Sequence, residues 1–393
     1  MQKVKKILIV GEGIGGVNTA LELDRILPEE VEIEFISNTS HLEYEPQFYK
    51  FFNDQEVANP YISYKDIFED TRVEIKKDVI DHINFDEKIV YGWHATPYHF
   101  DYVVFALKNE ISYYDVYGMK DLTFNSLSLS DVLQLKSHLH EVMSINKIYP
   151  EESKNIHIVI IGGNRSGCEI AGSIAQYTKK LTKKYNTLTL TISIDLIESE
   201  SRLISELSKS NSQKIQEYLQ NLGINIHLHR DVSKEEIEEV YLKDMEQNKK
   251  IVIWCKEIIP NHFFDKIEGF RLDDKGRVLV DSHLQVRGKK HIFVIGESVS
   301  KSYSSAFFTP LIDSKYVSEY IAHEIAHKKY HSYRPLKQKS IISIGSGYAI
   351  CQIGLITFSG WIGWLIKRSF DLHFLLSILP FSKALKIFKS NRV

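Results

Sequence analysis

The sequence predicts an α/β protein with two Rossmann-like dinucleotide-binding folds and a C-terminal amphipathic helical region. Three observations carry this prediction. A strand, a glycine motif, a helix and a second strand open the chain; the same grammar returns about 150 residues later; and the last 40 or so residues shift to an aromatic and basic composition.

Lys6 to Val10 reads as a short buried strand, Ile14 to Leu27 as an amphipathic helix ending before Pro28, and Val31 to Ile36 as the next strand. The second unit has a strand over Ile156 to Ile161, a helix over Ser166 to Tyr177 and a strand over Leu188 to Ile197. An exposed lysine-rich insertion, Lys179 to Lys184, separates that helix from its strand. Lys88 to Phe105 suggests hairpin and strand material around Gly92 and Pro97. Lys250 to Trp254, Arg277 to Val280 and His291 to Ile295 suggest further strands, and Ser314 to Ala326 a helix.

With 393 residues, 43% hydrophobic and 25% charged, the chain can bury a full-sized core in two or three domains. A net charge of −2 argues against nucleic acid as the main partner. Cys168, Cys255 and Cys351 are too few and too scattered for a disulfide framework and have no zinc-ligand spacing, so no metal is expected and a reducing compartment fits. The N-terminus runs into Ile7-Leu8-Ile9-Val10, too short an apolar run for a signal peptide.

Gly11-Glu12-Gly13-Ile14-Gly15-Gly16 has the G-x-G-x-x-G form. Gly11 permits a tight turn, Gly13 lets the backbone approach a pyrophosphate, Gly16 allows close packing, and the helix start offers unpaired N–H groups to the anion. Where a ribose-binding acid is expected the chain has Ser37 and Asn38, either able to bond a hydroxyl. In Gly162-Gly163-Asn164-Arg165-Ser166-Gly167, Asn164 replaces the middle glycine and brings a Cβ and an amide toward the phosphates. Glu198, ending the following strand, suits a ribose 2′-hydroxyl and would repel the extra phosphate of NADP, favouring NAD; it also reads as a solvated strand-end charge.

These tandem motifs, with His41-Leu42-Glu43-Tyr44-Glu45-Pro46, Ile292-Phe293-Val294-Ile295-Gly296-Glu297 and the tail Gly360-Trp361-Ile362-Gly363-Trp364-Leu365-Ile366, resemble type II NADH dehydrogenases over nearly the whole chain. The resemblance implies a flavoenzyme carrying electrons from NADH through FAD to a membrane quinone. It implies an FAD-binding domain in two parts, 1–110 and 271–335, an NADH-binding domain over 111–270, and a membrane-associating region over 336–393. Gly11, Gly13 and Gly16, with Ser37 and Asn38, would then hold FAD, and Pro46 would lie near the isoalloxazine. Gly296 and Glu297 match a glycine-aspartate pair at the ribityl chain. Gly162, Gly163, Asn164, Ser166, Gly167 and Glu198 would hold NADH. Glu169 matches an acid beside nicotinamide and flavin, and equally suits a carboxylate favoured by its helix dipole. Phe307, Phe308 and Ile312, the last beside Asp313, stand where the family has its quinone-side glutamines. Ala106-Leu107-Lys108 replaces an Ala-Thr-Gly turn, and Glu257 occupies a second such glycine position.

Residues 353–393 hold Lys367, Arg368, Lys383, Lys386, Lys389 and Arg392 against Asp371, a net +5. The run Ile353 to Ile366 is too short to span a bilayer. From Phe381, Ala384, Leu385 and Phe388 continue a helical stripe with the lysines off it. The expected arrangement is peripheral attachment at the cytoplasmic face of a membrane; packing against a second copy or the chain's own core is the alternative. Two other functions stay open. One is a sulfide:quinone oxidoreductase using Cys168 and Cys351; the other is a flavin-binding membrane protein that has lost NADH:quinone activity.

Overall fold

The computed structural model describes residues 4–44, 52, 61–112, 123–125, 129–148, 155–187, 190–232, 250–256, 258–300, 308–334, 339–354 and 356–390. The chain runs β1 (Lys6–Val10), α1 (Ile14–Ile26), β2 (Glu32–Ser37), β3 (Glu74–Lys77) and β4 (Tyr102–Phe105). β5 (Ile156–Ile161), α2 (Arg165–Tyr185), β6 (Ile192–Ile197), β7 (Ile224–His227) and β8 (Lys250–Trp254) follow. β9 (Ile292–Val294) and α3 (Phe308–Ile325) come next, then β10 (Lys339–Ser343), β11 (Ala349–Ile353), β12 (Ile356–Gly360), α4 (Trp361–Ile378) and α5 (Phe381–Ser390).

Two parallel sheets bear out the fold class. The first has strand order β9-β4-β1-β2-β3 and the second β7-β6-β5-β8. Ile9 lies opposite Phe35 on one side and Val104 on the other; Ile160 is likewise flanked by Leu196 and Ile253. Continuous apolar strands such as Ile156–Ile161 follow from burial on both faces. Ile7, Leu8 and Ile9 are completely buried, each stabilising by roughly 1.5–3 kcal/mol. The first sheet takes β9 from much later in the sequence, and α3 then returns to α1. Asn18 Nδ2 donates to Ser314 Oγ at 2.6 Å, with Val17, Ala20, Val317 and Ile321 buried in the same core.

Several elements depart from expectation. The helix after the second motif continues to Tyr185, so Lys179–Lys184 form its last turns and not an insertion. Tyr177 and Leu181 keep its buried stripe going, Asn186 closes it in the left-handed region at φ 56°, and lysines suit a helix C-terminus. Arg277–Val280 makes isolated bridges in place of a ladder, Val278 with Leu272 and Val299 and Val280 with Val286. Leu188 and Thr189 lie outside the described residues, and that strand is Ile192–Ile197. α3 starts six residues before Ser314, with Pro310 in its first turn, where a missing N–H is harmless.

The apolar run Ile353–Ile366 is not one segment. It ends β11, forms β12 and begins α4, with turns at Gly354 and Gly360, both at positive φ. β10, β11 and β12 make an antiparallel sheet on which α4 packs. A Cβ on Gly363 would stand 2.2 Å from the Ala349 carbonyl oxygen, so glycine is required where α4 crosses β11.

Candidate functional site

The first motif lies between β1 and α1 at the C-terminal ends of the strands, where an open parallel sheet presents its crevice. Gly11 has φ +148°, and a Cβ there would sit 2.2 Å from the Ala106 carbonyl oxygen at the end of β4. A Cβ on Gly16 would meet the Gly11 oxygen at 2.9 Å. Gly13 is different. It precedes α1 in extended conformation without a side-chain cap, and a Cβ there would meet only the Lys108 Cγ, at 3.8 Å. The start of α1 therefore opens onto free space with uncapped N–H groups, the cradle an anion needs.

Beside it lies a cavity of about 250 Å³, lined among others by Gly11, Glu12, Ser37, Asn38, Val79 and Lys108. Ser37 lines it while its hydroxyl is engaged by the Thr39 N–H at 3.1 Å and the Tyr64 hydroxyl at 3.5 Å. Tyr64 in turn donates to the Glu12 carbonyl at 2.7 Å, fixing the glycine loop from below, and burial raises its pKa. Asn38 is exposed at the rim, so it is the better placed of the two to meet a ribose. Val79 leaves half its surface exposed to the same cavity, an apolar wall the sequence pattern did not single out. Lys108 does not adopt positive φ, so its turn has no need of the family's glycine. Pro46, Glu257 and Phe307 lie outside the described residues.

Gly296 has φ +89° and donates its N–H to buried Asp313 at 2.9 Å. Tyr333 also donates to Asp313, and burial still lifts this carboxyl to about 6. Asp313 is thus turned to the Gly296 turn. Ile312 beside it is half-buried, and Phe308 packs its ring edge-on to Phe370 of α4, 5.6 Å between centroids. The Glu297 carboxylate accepts from Asn109 Nδ2 at 2.9 Å, which ties the turn to the end of β4.

In the second motif a Cβ on Gly167 would fall 1.8 Å from the Gly162 oxygen, and Gly162 has φ +109°. Asn164 is the N-cap of α2. Its Oδ1 accepts the Gly167 N–H at 3.0 Å and its Nδ2 donates to the Cys255 carbonyl at 2.5 Å. Ser166 follows in the first turn. Glu198 reaches over the loop, accepting from the Gly163 N–H at 2.5 Å and the Glu200 N–H at 2.8 Å. A strand-end acid above the glycine loop is the arrangement a ribose-binding carboxylate needs.

Glu169, in the first turns of α2, points to the tail sheet and accepts the Ser343 N–H at 3.2 Å. Burial raises its pKa, opposed by Arg165 and the Ser343 N–H. Nearby, Lys367 and Asp371 of α4 form a buried ion pair at 2.7 Å. Tyr44 donates to Asp371 at 3.0 Å and stacks on Phe374 with ring centroids 5.0 Å apart. Sequence spacing gave no sign of this junction, because its partners are over 300 residues apart.

Two parallel dinucleotide-type sheets, the first completed by a late strand and each with a glycine loop at its crevice, define the class of two-fold pyridine nucleotide flavoproteins. The chain belongs to the pyridine nucleotide-disulphide oxidoreductase family, whose model matches residues 5–309. It is similar to the type II NADH:quinone oxidoreductase NdhA of Mycobacterium tuberculosis, 21% identical over 94% of this chain and 83% of that one. The Staphylococcus aureus type II NADH:quinone oxidoreductase is 24% identical over 75% of each chain. Among solved structures, NDH2 from Plasmodium falciparum in complex with NADH has a TM-score of 0.80 at 15% identity, covering 99% of this chain and 98% of that one. The sulfide:quinone oxidoreductase of Aquifex aeolicus has a TM-score of 0.76 at 17% identity, covering 98% and 92%.

Proposed function

We propose that this chain is an FAD-dependent NADH:quinone oxidoreductase of the type II kind, attached peripherally to a membrane. The observation that carries the cofactor assignment is the uncapped start of α1, with room above Gly13 between two glycines that admit no side chain, beside a cavity that Gly11 and Glu12 line. FAD, when bound, supplies the two-electron carrier between NADH and quinone. The chain's own residues bind and align. Gly11 and the N–H groups of α1 take the pyrophosphate, Asn38 meets the ribose, and Gly296, held by Asp313, and Glu297 border the flavin. On the other side Glu198 accepts from the NADH ribose, Gly162, Gly163 and Gly167 carry its phosphates, and Glu169 stands near the nicotinamide. On this reading residues 1–110 and 271–335 form the FAD domain, 111–270 the NADH domain and 336–393 the membrane region, with Phe307, Phe308 and Ile312 on the quinone side.

Among the described residues no helix is long and apolar enough to cross a membrane. The tail does expose Ile356, Trp361, Ile362, Leu365, Leu376 and Phe381, with Trp361 and Phe381 each about two-thirds exposed. Such a surface suits insertion into the headgroup layer. Its charge is smaller than composition suggests: Lys367 is buried against Asp371, and Lys383 is bound by Asp66 and Glu69. Lys386 and Lys389 are exposed to face anionic lipid at the cytoplasmic side, whereas the Arg368 guanidinium lies over the Trp364 and Phe388 rings. A homodimer through the same apolar face is the competing use of it.

The sulfide reading finds no support at the cysteines. Cys168 and Cys351 are fully buried, and burial pushes both thiols up, Cys351 to about 12, away from the thiolate such chemistry needs. The test is an absorbance spectrum of the purified chain before and after anaerobic NADH, then after a short-chain quinone. Flavin bands that bleach and return support the assignment; bands indifferent to NADH, or none, overturn it. Flotation with anionic vesicles tests attachment, and a sharp dimer that ignores vesicles would reassign the apolar face.

A further inference from the structure

The cavity at the first motif is acidic. Glu12, Asp78 and Glu110 line it, and Lys108 is the one cationic side chain among its described lining residues. A pyrophosphate entering there carries two negative charges toward three carboxylates, with only backbone N–H groups and Lys108 to oppose them. Lys108 is also the residue whose side chain stands nearest Gly13, its Cγ 3.8 Å from where a Cβ would be. Its ammonium reaches across to Glu43 on the strand His41–Glu43, at a long 3.4 Å, with both side chains about one-fifth exposed.

We propose that Lys108 is a direct contact to the FAD pyrophosphate, leaving Glu43 for the phosphates when the cofactor enters. The assignment rests on the FAD reading above. Its backbone is fixed: the Lys108 carbonyl accepts from Asn261 Nδ2 at 3.1 Å, so the exchange needs only side-chain rotation. A lysine is a compact, flexible point charge, suited to a phosphate it reaches from the side. It supplies an attraction that Ser37 and Asn38, both uncharged, do not.

The test is titration of the full apo chain with FAD, followed by quenching of flavin fluorescence over a range of salt concentrations. Lys108→Gln is expected to raise Kd by about tenfold or more and to flatten its salt dependence, while Lys108→Arg keeps both near wild type. Glu43→Gln is expected to lower Kd a few-fold, because the lysine no longer has the Glu43 ion pair to break. Unchanged binding and salt dependence in Lys108→Gln would overturn the proposal, and tighter binding would do so by showing that the side chain obstructs the site. Should Lys108→Gln not fold, Glu43→Gln decides, and unchanged or weaker binding there rejects the exchange. Wild-type chain that takes up no FAD removes the cofactor reading itself, an outcome distinct from a lysine without a role.

Discussion

The two glycine motifs share a strand, a tight turn and a helix, yet the helices begin differently. Gly13 and Asn164 hold the same place in the fingerprint. At Gly13 the start of α1 has no side-chain cap, and the preceding Gly11 and Glu12 line a cavity. At Asn164 the side chain caps α2 by taking the Gly167 N–H, and the next carboxylate, Glu198, takes the Gly163 N–H. A cap of this kind stabilises a helix by about 1 kcal/mol, and it does so by occupying donors that a phosphate would otherwise receive. One residue therefore converts an anion cradle into a helix start that is already satisfied. The second site consequently depends more on the ribose acid and less on the helix terminus.

The largest expected effect separates packing glycines from the approach glycine. Gly11→Ala puts a methyl 2.2 Å from a backbone oxygen at φ +148°, and we expect destabilisation of roughly 3 kcal/mol or more with loss of flavin, read by thermal unfolding. Gly13→Ala should leave the melting temperature almost unchanged while weakening FAD. If both variants melt early, the open cradle is not open.

Asp313→Asn comes next, and it acts on the first site alone. The folded carboxyl titrates near 6, above its usual 3.8, so the native state holds a proton that the unfolded chain has released. Stability from this group is therefore greatest below pH 4 and declines as pH rises toward 6, by on the order of 2–3 kcal/mol. The variant should flatten that part of the denaturation profile. A profile unchanged in Asp313→Asn removes the assignment of a raised carboxyl beneath the Gly296 turn.

At the second motif, Glu198→Gln should narrow the preference for NADH over NADPH by about tenfold, seen in kcat/KM for each, since the repulsion of the 2′-phosphate is lost. Preference unaltered would place the discrimination elsewhere. The smallest effect is that of Asn164→Gly, which costs a few tenths of a kcal/mol of stability while lowering KM for NADH a few-fold, as freed donors reach the phosphates. An increase in KM would mean that the Asn164 amide itself holds the nucleotide.

Both sheets were legible because their strands are runs of β-branched and aliphatic residues bounded by glycine loops, as in Ile156–Ile161. The glycine loops were legible for the same reason. What escaped was set by distance in sequence or by context. Lys179–Lys184 looked like a polar insertion, but Leu181 carries the buried stripe of α2 through it. The apolar run after Ile353 looked continuous, whereas two glycines at positive φ fold it into a strand and a helix. Asp313 stands where a quinone-side residue is expected by resemblance, yet its carboxylate is aimed at Gly296 by tertiary packing. Asp78 and Asn261 line the cavity from elements that carry no motif.

Phe374, Leu375, Ile378, Leu379 and Ala384, from α4, α5 and the turn between them, belong to the same buried cluster as Ile7, Val104 and Val317. Tyr44 is bound to Asp371 from the same side. A shortened version ending near Gly360, made to obtain a water-soluble preparation, would thus strip a wall from the interior and precipitate. Solubility is better sought by polar replacements at Trp361, Leu365 and Phe381, which are exposed and outside that cluster.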